Sequence, residues 1–297
     1  MKVSIVVLTY NQEKYIRNTL DSLLNQDCDI SYEILVSDDC SSDSTPSIIR
    51  QYSILHPNVV KPIFHIKNIG SLNNYYSTLL QCTGEYIMIC DGDDYWLPGK
   101  LFNQVQYMDN NPGTVLYHSR TAIVDENNQN ISKSVMCPQQ LSFQQLVTSN
   151  PICACSACFR RNLAFDYIKS VDPEVRDWKM ADYPMWLYLS QRGKIEYTPK
   201  ILCAYRIIPG SVSHPQSLDK QVSFEISTYE IKRFFIGNNK KLQRLALLSH
   251  CNNLACIYKL CGDLDNFRYY SRKSGTLRGF VKSIVPSVFY SLMDSRQ

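Results

Sequence analysis

The sequence predicts an α/β fold in which a mostly parallel sheet is flanked by helices and followed by a helical C-terminal region. Through the first hundred residues, short apolar runs alternate with segments of helical periodicity, which is typical of β-α-β units. Polar or acidic residues follow each of the first four apolar runs. After about residue 216 the strand patterns disappear and long helical patterns dominate.

The apolar runs predict four strands, over residues 3–8, 33–37, about 61–66 and 86–90. Three helices are predicted between them. The first carries Ile16, Leu20 and Leu23 at helical spacing, the second begins near Ser42 or Asp43, and the third spans about 71–81. Because consecutive parallel strands are joined by right-handed crossovers, these helices are expected on both faces of the sheet.

The next hundred residues predict further strands and helices in a less regular order. The predicted helices begin at Pro98, near 142–148 and at Asp182, and the predicted strands lie at 114–118, near Ile195 and near Leu202. We therefore predict one domain over 1–215, with a first half (about 1–96) of regular alternation and a second half (about 97–215) of less regular order. A helical region follows over 216–297.

The composition is that of an ordinary globular protein, with 44% hydrophobic and 20% charged residues and a net charge of +4. The positive charge is concentrated near the C-terminus, because residues 239–297 contain ten Lys or Arg against three Asp or Glu, a net charge of +7. No apolar run approaches the roughly 20 residues needed to cross a bilayer. We predict a cytoplasmic protein, soluble or peripheral on the inner face of the membrane, with no nucleic-acid partner.

The twelve cysteines lie mostly within apolar runs and are predicted to be reduced, buried thiols. The densest group is Cys153, Cys155 and Cys158, which contains one C-x-x-C spacing without a second pair. Packing on a strand is the favoured interpretation, and a structural zinc site is the alternative.

The most informative stretch is the end of the fourth strand, where Asp91, Asp93 and Asp94 follow the buried run 86–90. Gly92 stands between the first two acids, and we expect it to allow an unusual backbone turn. Two carboxylates at this spacing can hold one Mg²⁺ or Mn²⁺ and leave the rest of its shell to the phosphates of a nucleotide. A solvated acidic turn is the alternative.

The residues that follow the other parallel strands are expected at the same edge of the sheet, because ligands of such sheets bind outside the carboxyl ends of the strands. This convergence favours a binding site over a solvated turn. The candidates are Thr9, Tyr10 and Asn11 after the first strand, Asp38 and Asp39 after the second, Asn68 and Gly70 after the third, and Asp91 and Asp93 after the fourth.

These motifs resemble the family-2 glycosyltransferases of the GT-A fold. The resemblance covers about residues 2–214 and rests on four segments in the same order as in that family: 3–11, 36–43, 91–96 and 181–187. It implies inverting transfer of a sugar from a nucleotide sugar, with a UDP-sugar favoured, to a hydroxyl acceptor. The acceptor class is a growing glycan or a lipid-linked saccharide of surface polysaccharide synthesis. The resemblance also implies that 1–215 is the catalytic domain, with a nucleotide-binding half (about 1–96) and an acceptor half (about 97–215).

By resemblance, each candidate residue has an expected role. Asp91 and Asp93 would hold the metal, Asp39 would bind the base, and Asp182 would be the general base, with N-capping of its helix as the alternative. Arg206 and His214 lie in a segment similar to the family's Tyr-Arg-x-His stretch, although Ile208 replaces the usual histidine. The remaining predicted nucleotide contacts are Thr9, Tyr10, Glu13, Asn74 and Asp91, of which Asp91 would bind the ribose or the metal. For Tyr10, Glu13 and Asn74, ordinary capping and packing is the alternative.

Two other functions remain open from the sequence. A nucleotidyltransferase would use a similar sheet, but it would need a glycine-rich loop after the first strand, and residues 9–12 contain no glycine. A nucleotide-sugar or glycan binding protein without catalysis is the other alternative. The C-terminal segment 278–293 combines apolar residues with Arg278 and Lys282, which predicts either packing on the catalytic domain or attachment to an anionic membrane.

Overall fold

The computed structural model describes residues 1–134, 136–208 and 217–275. Contacts between residues divide the chain into two compact units. The first comprises residues 1–141, 152–176 and 192–206, and the second comprises residues 142–151, 177–191 and 207–297. The segments 142–151 and 177–191, which the sequence assigned to the first domain, thus group with the C-terminal helices. The predicted boundary near residue 216 stays a prediction.

The first unit begins with the predicted alternation of strands and helices. Its first seven elements are β1 (Val3–Thr9), α1 (Ile16–Leu24), β2 (Tyr32–Asp38), α2 (Thr45–Leu55), β3 (Val60–Phe64), α3 (Ser71–Leu79) and β4 (Tyr86–Ile89). β1 pairs in parallel with both β2 and β4, and β2 pairs in parallel with β3. The alternation forms because β1 and β4 are mostly apolar and almost entirely buried, whereas α1 buries only the face that carries Ile16, Leu20 and Leu23.

The rest of the first unit extends this sheet. The further elements are β5 (Tyr95–Trp96), α4 (Lys100–Asn110), β6 (Thr114–Val124), β7 (Asn130–Lys133), β8 (Gln140–Leu141), β9 (Ala157–Arg160), α6 (Arg161–Val171) and β10 (Lys194–Arg206), and 3-10 turns lie at Ala154–Ser156 and Pro173–Val175. The strand order is β3-β2-β1-β4-β9-β6-β10-β5, with β7 paired to β6 and β8 paired to β10.

The second half of the sheet differs in detail from the prediction. β9 is antiparallel to both β4 and β6 and lies between them. The two short strands expected near Ile195 and Leu202 are one strand, β10, with a register shift between Thr198 and Ile201. This irregularity accommodates Pro199, which cannot donate a ladder hydrogen bond. The α/β fold class with helices beyond the sheet is confirmed.

The core of the first unit includes buried side chains from β1, β2, β4 and the helices around them. Cys155 and Cys158 belong to this core, and Cys158 lies on β9 as the packing interpretation predicted. Among the described residues, no group of three or more His, Cys, Asp or Glu side chains is arranged to hold a metal ion.

The second unit is helical. It contains α5 (Phe143–Thr148), α7 (Asp182–Ser190), α8 (Leu218–Ile236), α9 (Lys240–Leu260) and α10 (Leu264–Ser274). α7 is buried from Tyr183 to Leu189, and the Tyr183 hydroxyl donates a hydrogen bond to the carbonyl oxygen of Leu146 at 2.7 Å. The Ser249 hydroxyl of α9 donates to the carbonyl oxygen of Thr148 at 2.8 Å, which fixes α5 between these helices.

In the described ranges, none of the helices combines the length and the apolarity that a membrane crossing requires. The predicted amphipathic segment 278–293 and His214 lie outside the described residues.

Candidate functional site

Backbone hydrogen bonds join the carboxyl ends of three neighbouring strands of the first unit. Thr9 and Asp38 are register partners at the ends of β1 and β2. Beyond the ladder, the amide of Asp39 donates to the carbonyl of Thr9 at 3.0 Å, and the amide of Gly92 donates to the carbonyl of Leu8 at 2.8 Å. The structure therefore holds the residues after β1, β2 and β4 at one edge of the sheet.

Asp38 forms the turn after β2. Its carboxylate accepts hydrogen bonds from the Ser41 amide at 3.0 Å and from the Ser41 hydroxyl at 2.5 Å. The side chain of Asn11, a residue in the left-handed region at φ 53°, accepts from the amide of Ser42 at 2.8 Å. These bonds fix the loops after β1 and β2 against each other and occupy the Asp38 carboxylate.

Asp39 has a different environment. One carboxylate oxygen accepts from the amide of Ile69 at 2.7 Å, and the other accepts from the amide of Gly70 at 3.0 Å. The side chain is buried, yet each carboxylate oxygen has a second lone pair. Asp39 is thus held rigidly by the loop before α3 and keeps acceptor capacity for a donor N–H or O–H.

Three other predicted nucleotide contacts lie in distinct surroundings. The ring of Tyr10 is 50% exposed beside the strand ends. Glu13 accepts a hydrogen bond from the amide of Ser44, the residue before α2, at 2.8 Å. The amide group of buried Asn74 bonds with Ser37 and lies 3.1 Å from the His65 ring nitrogen, so its contacts are those of a packed core residue. Nucleotide contacts by these residues stay predictions.

The acidic loop, residues 91–94, packs tightly on β1 and α1. The Thr19 hydroxyl lies 2.9 Å from the carbonyl oxygen of Gly92 and 2.7 Å from that of Asp94. A Cβ added to Gly92 would lie 2.9 Å from the Cβ of Thr9 and closer still to the side-chain oxygen of Gln12. Gly92 is not among the glycines with positive φ. The expectation of an unusual backbone turn is therefore wrong, and glycine is needed here for space.

Burial governs the protonation of the carboxylates in the loop. It raises the pKa of Asp93, although the backbone amide, the Arg206 charge and a hydrogen bond from Gln12 act in the opposite direction. Burial and the charges of Asp93 and Asp91 hold the pKa of Asp94 well above its usual range. A cation at this loop would relieve the repulsion among the three carboxylates.

Arg206, the last residue of β10, reaches the loop from the other half of the sheet. Its amide donates to a carboxylate oxygen of Asp94 at 2.9 Å, and its Nε donates to the carbonyl of Asp93 at 2.7 Å. The guanidinium also lies over the ring of Tyr15, 4.7 Å from the centroid. The sequence left the role of Arg206 open, because its partners are more than 110 residues away along the chain.

Asp182 is the first residue of α7 in the second unit. The N-cap of this helix is Ala181, and the Asp182 carboxylate accepts a hydrogen bond from the next amide, that of Tyr183, at 2.7 Å. Burial raises the pKa of Asp182, while the Tyr183 amide and a hydrogen bond from Trp186 oppose the rise. A carboxylate with a raised pKa at the start of a rigid, buried helix has the properties of a general base.

The family model for "Glycosyl transferase family 2" matches residues 4–168, more than half of the chain's 297 residues. The chain belongs to glycosyltransferase family 2.

Relatives of this family-2 glycosyltransferase include proteins with and without a stated activity. An uncharacterized protein of Mycobacterium tuberculosis is 32% identical over 230 residues, which cover 75% of this chain and 64% of that relative's length. WfaP of Escherichia coli, named as a UDP-Glc:alpha-D-GlcNAc-diphosphoundecaprenol beta-1,3-glucosyltransferase, is 29% identical over 217 residues, 71% of this chain and 79% of WfaP. The alignment thus spans less than two thirds of the first relative.

Two solved structures show the fold of this glycosyltransferase to be GT-A. S. aureus TarS 1-349, in complex with UDP-GlcNAc, has a TM-score of 0.62 at 19% identity, over 96% of this chain and 95% of that one. The mannosyltransferase PcManGT of Pyrobaculum calidifontis, in complex with GDP-Man and Mn2+, has a TM-score of 0.60 at 18% identity, over 95% and 81%.

The donor set of the acidic loop fits a hard divalent cation. Asp91 and Asp93 supply only carboxylate oxygens, which Mg²⁺ and Mn²⁺ prefer. A group of three protein ligands is absent from the described part of the chain, so most of the coordination shell would come from substrate and water. This combination is typical of sites in which the metal binds together with nucleotide phosphates.

The sequence did not reveal the residues that hold the acidic loop in place. Thr19 lies in α1, and Gln12 lies in the loop between β1 and α1. From the sequence, neither differs from an ordinary polar residue, whereas the structure shows both in contact with the acidic loop. A signal that could have found Thr19 is its position on the buried face of α1, where a hydroxyl needs a partner.

Proposed function

We propose that this glycosyltransferase moves a sugar from a nucleotide-diphosphate sugar to a hydroxyl of a growing glycan or lipid-linked saccharide, with inversion at the anomeric carbon. The observation that carries the proposal is the acidic loop, which the bond from the Gly92 amide to the Leu8 carbonyl holds at the end of β1, beside the end of β2. The crystallised relative TarS, whose complex contains UDP-GlcNAc, supports a UDP-sugar as donor.

In this proposal the first unit binds the nucleotide. Asp39 accepts a hydrogen bond from the base, since its two oxygens are oriented by the amides of Ile69 and Gly70. The half-exposed ring of Tyr10 offers an aromatic surface beside the strand ends. Thr9, Glu13, Asn74 and Asp91 complete the proposed set.

Asp91 and Asp93 are the proposed ligands of Mn²⁺ or Mg²⁺. When bound, the cation would stabilise the negative charge that develops on the diphosphate leaving group. The protein contributes a loop that is fixed before the substrate arrives, because Thr19, Gly92 and Arg206 hold its main chain. The structural relative PcManGT, whose complex contains GDP-Man and Mn2+, supports this assignment.

Asp182 is the proposed general base. It would take the proton of the acceptor hydroxyl as that oxygen attacks the anomeric carbon from the face opposite the leaving diphosphate. Its raised pKa makes it a better proton acceptor than an ordinary aspartate, and the Tyr183 amide fixes its orientation.

For the acceptor we propose a class of compound, and for the protein we propose a location in the cell. The name of WfaP describes a lipid-diphosphate-linked sugar as acceptor, and this supports a saccharide of surface polysaccharide synthesis as the acceptor class here. A cytoplasmic protein whose basic C-terminal segment attaches it to the inner face of the membrane would meet such an acceptor.

A panel of UDP-, GDP- and dTDP-sugars, each incubated with the protein and Mn²⁺, tests the proposal. We expect release of a nucleoside diphosphate from one donor, faster with a saccharide acceptor, and an inverted anomeric configuration in the product by NMR. Binding of a nucleotide sugar without release under any of these conditions would favour a binding protein. Production of a nucleoside monophosphate or pyrophosphate would favour nucleotidyl transfer.

A further inference from the structure

Arg206 connects the acidic loop to two other segments of the first unit. The side chain and amide of this residue are only 3% exposed. Besides its bonds to the loop, its guanidinium donates to the Asn128 side chain at 2.7 Å, the Asp125 carbonyl at 3.3 Å and the Asn18 side chain at 3.4 Å. Its position is therefore fixed by the β6–β7 turn and by α1.

The two bonds to the loop act on different parts of neighbouring residues. Nε binds the main-chain carbonyl of Asp93, and the backbone amide binds the side chain of Asp94. Neither bond uses the carboxylate of Asp93, so Arg206 orients the loop without occupying that carboxylate. A lysine could not reproduce this arrangement, because a guanidinium directs several N–H groups in a fixed plane and an ammonium does not.

We propose that Arg206 is a positioning residue, which sets the orientation of Asp93 for cation binding through the Asp93 carbonyl and through Asp94. The part of this inference that concerns cation binding rests on the proposed function, whereas the part that concerns loop order does not. Partners that orient a ligand commonly change metal affinity by about 10- to 100-fold.

The chain offers a matched control in Arg160, at the end of β9. Its guanidinium also binds main-chain carbonyls, those of Thr114 at 2.8 Å, Met108 at 3.2 Å and Asn111 at 3.3 Å. Arg160 pairs with Tyr86 at the beginning of β4, whereas the acidic loop follows the end of β4. Arg160→Lys thus disrupts the same kind of contact at the opposite edge of the sheet.

A pocket beside Arg206 allows a rescue experiment. It has a volume of about 290 Å³ and is lined by Lys14, Tyr15, Asn18, Glu126, Asn127, Asn128 and Arg206. Because the guanidinium forms part of its wall, Arg206→Ala should enlarge the pocket into a space that a small guanidinium compound can enter.

The first measurement is binding of Mn²⁺ alone, followed by electron paramagnetic resonance. We expect Mn²⁺ affinity about 10- to 100-fold weaker in Arg206→Lys than in the wild type, and unchanged in Arg160→Lys. Methylguanidine at tens of millimolar should restore part of the affinity of Arg206→Ala, and sodium chloride at the same concentration should not. Equal Mn²⁺ affinity in Arg206→Lys and the wild type would overturn the proposal. It would also be overturned if Arg206→Ala keeps its fold and methylguanidine does not restore its Mn²⁺ affinity.

The second measurement is amide hydrogen exchange of residues 92–95, without metal. We expect faster exchange there in Arg206→Lys and the wild-type rate in Arg160→Lys. If the wild type binds no Mn²⁺, the part of the inference that concerns cation binding is contradicted, and exchange still decides whether Arg206 orders the loop. Unchanged exchange in Arg206→Lys would contradict the positioning role whatever the metal result.

Discussion

The backbone amide of Gly92 donates a hydrogen bond to the carbonyl oxygen of Leu8 across 2.8 Å. This bond places the acidic loop directly against the end of β1, so close that the loop has no room for a side chain at residue 92. The distance between strand and loop thereby fixes where the neighbouring carboxylates lie.

Gly92→Ala tests this relationship. The added methyl group would collide with Thr9 and Gln12 and displace the loop, so we expect transfer to fall by about 10- to 100-fold, since misplacements of about 1 Å have effects of this size. Gly113→Ala is the control, because a Cβ there meets no atom within 4 Å. Similar rates in the two variants would show that the loop tolerates displacement.

Asp182→Asn tests the proposed general base. The substitution keeps the size of the side chain and removes its basicity, so turnover should fall by about 10²-fold or more while donor affinity changes little. Asp177→Asn, at a residue of the same unit whose side chain is 94% exposed, should leave turnover unchanged. Near-normal turnover in Asp182→Asn would mean that this carboxylate only accepts the hydrogen bond from the Tyr183 amide at the beginning of α7.

The pH dependence of turnover offers an independent check of the same residue. Because the pKa of Asp182 is raised, the base is ionised above that pKa and is protonated as the pH falls through it. We therefore expect the acid limb of the turnover profile above the ordinary range of aspartate, and we expect that limb to be absent from the residual activity of Asp182→Asn.

The sequence predicted the first four strands because each of them is a short apolar run. It also predicted that the residues after these runs lie at one edge of the sheet, and the structure shows this for β1, β2 and β4. It could not predict the contacts that hold the site. The bonds from Arg206 to Asp93 and Asp94 join segments more than 110 residues apart, and no local pattern reports such a pairing. The sequence predicted two strands instead of the single strand β10, because a proline normally ends a strand. In the structure, a register shift between Thr198 and Ile201 accommodates Pro199.

His118→Leu tests how burial of an ionisable group affects stability. Burial lowers the pKa of His118 to about 3, and the nearby Lys100 ammonium acts in the same direction. The neutral His118 therefore contributes fully to the free energy of unfolding above the unfolded-state pKa of about 6.5. This contribution is lost as the pH falls towards 3, because the unfolded chain binds a proton that the folded protein does not. Between pH 8 and pH 5 this residue should account for about 2 kcal/mol of lost unfolding free energy.

Denaturant unfolding of wild type and variant at both pH values measures this difference. We expect the loss between pH 8 and pH 5 to be about 2 kcal/mol smaller in His118→Leu. The exposed His56 serves as control, and His56→Asn should keep the wild-type dependence. An unchanged loss in His118→Leu would show that His118 becomes protonated within the fold at mildly acidic pH.

The basic C-terminal segment is tested with vesicles. If residues 278–293 attach the protein to anionic lipid, flotation should require anionic headgroups and weaken with salt, since each nearby Lys or Arg contributes about 1 kcal/mol. Deletion of residues 276–297 should abolish flotation and leave the unfolding transition in place. A deletion variant that unfolds, or a full-length protein that ignores anionic vesicles at low salt, would favour packing on the catalytic domain.

Transfer by the wild type and by Asp93→Ala, with Mn²⁺ and then with excess chelator, decides whether the acidic loop acts through a bound cation. We expect wild-type transfer to disappear in chelator and to return with Mn²⁺, and we expect no transfer by Asp93→Ala under either condition. The variant should remain folded, because desolvation already raises the pKa of the Asp93 carboxylate and its removal relieves repulsion with Asp94. Full wild-type transfer in excess chelator, or normal transfer by folded Asp93→Ala, would contradict a metal-dependent role for this loop.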